Sequence, residues 1–394
     1  MSDFFIPLLI ILLVFGGLFH EDFIFTVIYL IAGTYALSRW GSRKALANIT
    51  ARREFPRRLF LEEETLVRLI LINQGWLPIV WIRLNDSLPM NLSIPNFFRQ
   101  AISLAPKETQ TLQYKIKGWK RGYYELGPLT LQSGDLFGLS GRVAQEGILD
   151  HITVFPKIIP LAQIKLPSRS PLGTLRHREP IFEDPSRVLG KREYISGDSL
   201  RRVDWKASAT MGHLIVKLFE PSIALDTVIL LNLMGSDYDP NSRNVATELA
   251  IVVAASLANW VVERKQAIGL INNGFDPLES NISSSLILPR KGRNHLMRLL
   301  ETLARLQMTE GREIVDQLQL SQPKLPWGST LVAITGYVNE GLFESLFQSK
   351  RSGLNVMLVV CGQNPELKET RHRASHFAIP MVHFLSEQDL DQWR

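Results

Sequence analysis

The densest chemistry in the chain lies at Gly190–Ala209, GKREYISGDSLRRVDWKASA. Within Lys191–Lys206, eight of sixteen residues are charged, five basic and three acidic. Tyr194, Ile195, Leu200, Val203 and Trp205 are interleaved with them. Asp198 is placed to cap a short helix beginning near Ser199, since an aspartate carboxylate accepts the free N–H groups of a first helical turn. Met211-Gly212 would end that helix. On it, Arg201 precedes Asp204 by three residues, Trp205 by four and Ser208 by seven, spacings that share one face. Arg201 can then pair with Asp204 under Trp205, with Arg192 and Glu193 upstream on an extended segment. Glu193, Asp198 and Asp204 are candidate acids and bases. Each has a basic neighbour, and nearby positive charge lowers a carboxylate pKa, which suits ion pairing better than proton transfer. The box therefore reads as an internal clasp or as a docking surface for a partner, ahead of an enzyme site.

Little else in the sequence has the spacing of a catalytic or metal site. There is no GxGxxG fingerprint, no GxxxxGK[ST] phosphate loop, no GxSxG elbow and no HExxH pair. His372 and His376 are four apart but sit among Arg371 and Arg373 without an acidic third ligand. Cys361 is the single cysteine, so it forms no intramolecular disulfide and no cysteine-rich zinc site, and it suits a reducing compartment. It follows a strand and has no local His or Asn partner, so it reads as packed. Tyr123 and Tyr124 read as ordinary strand packing.

Three kinds of element must carry the box. From Leu225 onward, buried apolar strands alternate with helices: Thr227–Met234, Ala267–Ile271, Ser329–Thr335 and Leu354–Val360 as strands, Asn244–Lys265, Arg293–Leu306 and Glu340–Gln348 as helices. That alternation predicts a doubly wound parallel sheet. The long helix should turn Val245, Leu249, Val252, Val253, Ser256, Trp260 and Val261 inward. Between about Phe55 and Pro160, short β-branched runs punctuated by Gly and Pro predict an antiparallel sandwich of immunoglobulin-like type. At the start, Phe4–Phe19 and Phe23–Ser38 are two uncharged runs of 16 residues, separated by His20, Glu21 and Asp22. Each gives roughly 24 Å of helix against a bilayer core of about 30 Å, so both need their end residues to span. The expectation is a transmembrane helical hairpin, with Tyr35 and Trp40 at headgroup level.

Charge sets its orientation. The net charge is +6. Arg39, Arg43, Lys44, Arg52, Arg53, Arg57 and Arg58 lie within twenty residues opposed only by Glu54, so this stretch carries 7 − 1 = +6. Positive residues beside an apolar span stay in the cytoplasm, which places residues 41–394 there. The basic residues follow the apolar runs, whereas a cleaved leader begins with them. A nucleic-acid binder would carry its excess on a folded face, so no nucleic acid is expected.

On these residues the chain resembles the bacterial family catalogued as domain of unknown function 58. The carriers are Arg192-Glu193-Tyr194, Gly197-Asp198, Arg201, Asp204-Trp205-Lys206 and Ser208-Ala209. Weaker ones are Arg121-Gly122-Tyr123, Gly127-Pro128, Asp135–Leu139 and Val154-Phe155-Pro156. The resemblance covers nearly the whole chain. It implies two membrane helices, a β-sandwich and a von Willebrand factor A-like α/β domain. It also implies an adaptor role beside a MoxR-type AAA+ ATPase, with no established reaction. A metal-binding domain of that type carries Asp-x-Ser-x-Ser after its first strand, a Thr from a second loop and an Asp from a third. Matching strands puts Asn232, Met234 and Ser236 in the first set and Thr335-Gly336 in the last loop. Both carboxylates are missing, and neutral oxygens with a thioether hold a hard divalent cation weakly. Asp237 and Asp239 are the off-register substitutes. No metal or other cofactor is expected.

The expected organisation is therefore a hairpin at 1–40, a sandwich at 41–160, a charged linker at 161–224 and the α/β domain at 225–394. The expected function is a scaffold held in the inner membrane through residues 4–38, without a small-molecule substrate. The alternatives are a membrane-proximal hydrolase or transferase using the box carboxylates, and a surface adhesin of opposite topology.

Overall fold

The computed structural model describes residues 11, 14, 22–133, 143–162, 164, 166, 183–195, 203–221, 226–278 and 286–393. Two compact units divide the chain, Met1–Lys157 and Ile158–Arg394.

The first unit opens with α1 (Asp22–Ala47), one continuous helix of 26 residues. At 1.5 Å per residue it is about 39 Å long. It runs well past Ser38, through Arg39, Trp40, Arg43 and Lys44. Phe23, Tyr29 and Leu30 on it are largely exposed, whereas Leu46 near its end is buried. Of the earlier run Phe4–Phe19, Ile11 and Val14 are described, both helical and exposed. The rest of that expected first span lies outside the described residues.

Among the described residues ten strands follow: β1 (Ile49–Glu54), β2 (Arg58–Phe60), β3 (Glu64–Asn73), β4 (Ile79–Ser87), β5 (Phe97–Leu104), β6 (Thr109–Lys117), β7 (Gly122–Leu126), β8 (Leu129–Ser133), β9 (Val143–Glu146) and β10 (Asp150–Phe155). They form sheets of order β1-β3-β6, β5-β4-β8-β9 and β2-β10-β7. Alternation of side chains builds the core. Val67, Leu69 and Leu71 of β3 point inward, and so do Ile82 and Leu84 of β4. Leu46, Leu69, Leu71, Ile82, Leu84, Leu112 and Leu131 join the first two sheets in one apolar cluster. Leu59, Val67, Ile116, Leu126, Ile152 and Val154 bring in the third sheet. Pairing is antiparallel except between β10 and β2, which run parallel. That pair corrects the all-antiparallel expectation: a strand reached by a long connection is free to pair in either sense.

The second unit contains β11 (Glu183–Glu193), α2 (Trp205–Met211) and β12 (Ile215–Pro221), where β11 and β12 pair as an antiparallel ribbon. It continues with β13 (Thr227–Leu231), α3 (Arg243–Glu263), β14 (Ile268–Asn272), β15 (Leu286–Arg290), α4 (Arg293–Arg305), α5 (Ile314–Ser321), β16 (Thr330–Thr335), α6 (Glu340–Arg351), β17 (Asn355–Cys361), α7 (Leu367–His376) and β18 (Met381–Phe384). The sheet order is β15-β14-β13-β16-β17-β18. Strands β14, β13, β16, β17 and β18 are parallel, as their continuous apolar runs require. Edge strand β15 is antiparallel, which corrects the purely parallel expectation. Chain order reverses between β13 and β16, the kind of crevice where doubly wound sheets place ligands.

Val228, Leu230, Leu331, Ala333, Val356 and Leu358 share a cluster with residues of α5 and α6. Helix α3 packs across β13, β14, β16 and β17. Among the described residues α3 is long and apolar enough to cross a membrane, but 83% of its apolar window is buried within the protein. It is the core helix of this unit. Leu249, Val252, Val253, Ser256, Trp260 and Val261 face inward as expected, whereas Val245 is 70% exposed. Val245 lies in the first turn, at the rim, where the helix has not yet reached the sheet.

Candidate functional site

The charged box folds around a helix shorter than the sequence suggested. Asp204 is its cap: the carboxylate accepts from the backbone N–H of Ala207 at 3.2 Å. Gly212, at φ 74°, closes the far end in the left-handed region. The expected start near Ser199 is thus corrected to Trp205. Val203 forms a bridge with Val216, and Asp204 N–H donates to Ile215 O, so the chain is still extended there. Gly197, Asp198 and Arg201 lie outside the described residues.

Asp204 is also held by Lys191, Nζ to Oδ2 at 2.9 Å. Hydrogen bonding from Lys191, then from Ala207 N–H, keeps its carboxyl below the usual carboxylate range. It is an ionised anchor between β11 and α2. Ser208 completes the joint. Its buried hydroxyl donates to Asp204 O at 2.8 Å and accepts from Ile215 N–H at 2.9 Å. Tyr194 N–H donates to Leu214 O. Arg192 donates to the carbonyl of Glu193, and the Glu193 carboxylate lies 3.2 Å from His213 Nε2. Trp205 is 66% exposed, with Lys206 exposed beside it, and the expected pairing of Arg201 with Asp204 lies outside the described residues. Ile195, Met211 and Leu214 are exposed as well. The box is a clasped base carrying an open apolar and cationic face.

The rim of the sheet at its order reversal is a second assembly. Asn232, at the end of β13, is buried and uses every hydrogen-bonding valence of its amide. Its Nδ2 donates to Asp237 Oδ2 at 2.7 Å and to Thr335 Oγ1 at 3.0 Å. Its Oδ1 accepts from Asn273 Nδ2 at 2.8 Å and from Met234 N–H at 3.1 Å. Thr335 passes its own proton to Tyr337 O at 2.8 Å. Tyr238 donates to Asn232 O at 2.6 Å. Burial pushes the Asp237 carboxyl up, and the Asn232 amide pulls it partly back. Asp239 accepts from Asn241 N–H, a local turn contact. Ser236 is exposed and Met234 half-buried. Gly336 is buried, and a Cβ there would collide with Asp237 O and the Tyr238 ring. Both amide protons of Asn232 are thus taken up by the oxygens of Asp237 and Thr335. Asn273 is the member that sequence matching missed. It sits one residue past β14, and a polar residue ending an apolar strand beside the order reversal was its available signal. Among the described residues, no three His, Cys, Asp or Glu side chains gather as metal ligands. His372 and His376 are exposed on α7, and Cys361 is buried at the end of β17.

In the β-rich unit the structure removes one residue from the basic cluster. Arg53 is buried: its Nε lies 2.9 Å from Asp86 Oδ2, its Nη2 2.5 Å from Asp86 Oδ1 and its Nη1 2.9 Å from Asp150 Oδ2. Tyr114 donates to Asp86 Oδ2 at 2.8 Å. Period-2 alternation explains the set. Ile49 and Arg53 share the inward face of β1, Ile82, Leu84 and Asp86 that of β4, and Leu112, Tyr114 and Ile116 that of β6. Arg52, Arg57 and Arg58 remain exposed. Tyr124 packs its ring over Gly122 and donates to Lys120 O at 2.8 Å, while Tyr123 stacks on His151. These tyrosines are strand packing, as expected.

Residues 190–359 match the family model described as "Protein of unknown function DUF58". The uncharacterized protein YeaD of Bacillus subtilis (strain 168) is 26% identical over 232 residues, covering 58% of this chain and 54% of that protein. The chain thus matches about half the length of this curated relative. Among solved structures, an aerotolerance-related membrane protein from Bacteroides fragilis NCTC 9343 aligns at a TM-score of 0.29 and 13% identity, over 43% of this chain and 96% of that one. The CARDB domain of the PF1109 protein from Pyrococcus furiosus aligns at a TM-score of 0.20 and 13% identity, over 27% and 91%. Through the segment that runs from the charged box to β17, the chain is similar to the DUF58 family of proteins of unknown function.

Proposed function

We propose that this protein is a membrane-tethered scaffold whose box docks a partner protein on the cytoplasmic side, a MoxR-type AAA+ ATPase being the partner that the family resemblance implies. In this reading α1 and the preceding apolar run are two spans, and the α/β unit is a von Willebrand factor A-like domain that works without a metal. The protein catalyses no reaction of its own. The observation that carries the docking role is the exposed surface of α2. Trp205, Met211 and Lys206 are exposed on a short helix that is capped at both ends and braced by Lys191 and Ser208. Tryptophans on rigid supports are the residues that dominate protein interfaces. Asp204 is committed to an ion pair and a helix cap, which supports a binding role over acid–base work.

Affinity purification of the full chain from native membranes, followed by mass spectrometry, tests the reading. The ATPase should co-purify with the wild type. Recovery should fall several-fold with Trp205→Ala while the melting temperature stays unchanged, because the side chain removed is exposed. Wild-type preparations that never recover such an ATPase would speak against the assignment.

A further inference from the structure

Strand β1 stops short of its partner. Its pairing with β3 ends at Glu54 opposite Arg68, so residues 64–67 of β3 have no β1 residue beside them. The cause is in the sequence. In this register Pro56 would stand opposite Leu66, and a proline has no N–H to give to the ladder. The chain leaves there for the third sheet: Arg57 O accepts from Thr153 N–H at 2.9 Å, and β2 pairs with β10. On its other side β3 stays paired with β6 as far as Glu64, opposite Lys117. The phase of the ladder shows where the uncovered groups point. Gly118 N–H donates to Glu63 O at one end of β3, and Asn73 N–H donates to Glu108 O at the other. The odd-numbered residues of β3 therefore bond to β6. Gln74 N–H, by contrast, donates to Asn48 O on the β1 side. Alternation turns the N–H and C=O of Glu64 and Leu66 toward the side that β1 has left.

A groove of about 620 Å³ opens at this place, lined by Phe55, Pro56, Thr65, Leu66, Arg68 and Lys115, with Glu54 and Glu64. Leu66 is 45% exposed. Lys115 stands directly opposite it on β6, and Arg68 follows two residues along the same face of β3. Both cations are exposed and form no ion pair among the described residues, whereas Glu54 already has Arg52 at 3.6 Å. Uncovered main-chain groups along a strand match only another extended chain, whose own N–H and C=O groups complete the ladder. The exposed leucine and the two uncommitted cations set which side chains that chain should carry. We propose that the open edge of β3 binds a short extended segment of a partner protein as an added strand, with an apolar side chain over Leu66 and a carboxylate reaching Arg68 and Lys115. The site lies in the other unit from the charged box, and it does not depend on the membrane reading of α1.

The test begins with hydrogen exchange on the full chain, read at single residues. The amides of Glu64 and Leu66 should exchange fast, and those of Thr65 and Val67, bonded to β6, should be protected. Protection of the Leu66 amide in the chain alone would show the edge already closed and overturn the proposal. A random-peptide phage library is then panned on the full chain and counter-selected on Leu66→Pro. That variant removes the outward N–H and keeps the bonds of Thr65 and Val67 to β6, and edge strands accept proline at such positions. Enriched peptides should alternate apolar with acidic residues and should slow exchange at Glu64 and Leu66. N-methylating a selected peptide on the set of alternate amides that faces β3 should weaken binding about tenfold, the loss of one or two main-chain hydrogen bonds; methylating the other set should not. Arg68→Glu combined with Lys115→Glu should turn the selection toward basic peptides. A selection that enriches nothing over Leu66→Pro refutes the added strand. So do peptides whose binding survives N-methylation of either set, and that outcome holds whether or not Leu66→Pro folds normally.

Discussion

Arg53 illustrates how little a residue's identity says without its register. As one arginine among seven clustered basic residues, it reads as surface charge. Alternation along β1 instead sends it inward to Asp86 and Asp150, which are 33 and 97 residues away in the sequence. A window of twenty residues holds neither partner, so charge counting could not find the pair. The pattern Ile49-x-Ala51-x-Arg53 opposite Ile82-x-Leu84-x-Asp86 was the legible signal. Breaking one half of a buried pair leaves the other charge stranded, at a cost of about 3–5 kcal/mol. Arg53→Met should therefore destabilise the chain by that amount in urea titrations, and adding Asp86→Leu should restore part of the loss. Tyr114 extends the same cluster. Burial, then the negative charge of Asp86, pushes its phenol well above the usual range. A raised folded pKa contributes stability that is complete below the unfolded value of about 10 and is lost as pH rises beyond it. Wild type should thus lose up to about 1.4 kcal/mol per pH unit above pH 10 from this group. Tyr114→Phe should lack that increment, as chemical denaturation at pH 8 to 11 would record.

At the scale of elements, what the sequence revealed depended on how local the cause was. The strands β13, β14, β16 and β17 announce themselves as apolar runs, and their observed limits fall within three residues of those read from the sequence. The box helix was misplaced because two aspartates, Asp198 and Asp204, are equally good caps. The strand bridge of Val203 to Val216 decides between them, and that bridge is a tertiary fact. Helix α5 and edge strand β18 were passed over because they are short and of mixed polarity. The candidate site was half legible. Asn232 and Thr335 could be matched by strand order, but the Asn273 bond and the fully used Asn232 amide needed the fold. Gly336 marks how closely the loop after β16 approaches the turn after β13. Adding a methyl there should force the two apart, at about 1–3 kcal/mol for overpacking. Gly336→Ala should therefore lower the denaturation midpoint without changing secondary structure, as far-ultraviolet circular dichroism and guanidinium titration would measure.

At the scale of the whole molecule, the two units differ in how far composition betrayed them. The α/β unit carries its design in continuous hydrophobic strands. The β-rich unit hides polar residues on inward faces and was legible only as a class. The exposed positive excess that follows the apolar start survives the loss of Arg53, because Arg52, Arg57 and Arg58 stay exposed. If the apolar start is the tether, deleting residues 1–38 should move the protein from the membrane pellet to the supernatant on fractionation. Retention of the truncated chain in the pellet would oppose that reading. Leu46 and Ile49 lie beyond the cut, so the core they share with β3 and β4 is kept.

Helix α1 passes into that core with only Asn48 between its last turn and β1, and Leu46 is already locked among sheet residues. No slack hinge separates the two. The helix and the sandwich must therefore turn as one lever. If α1 is the proposed tether, any thinning or stretching of the lipid layer that changes its lean would swing the attached sheets through the same angle.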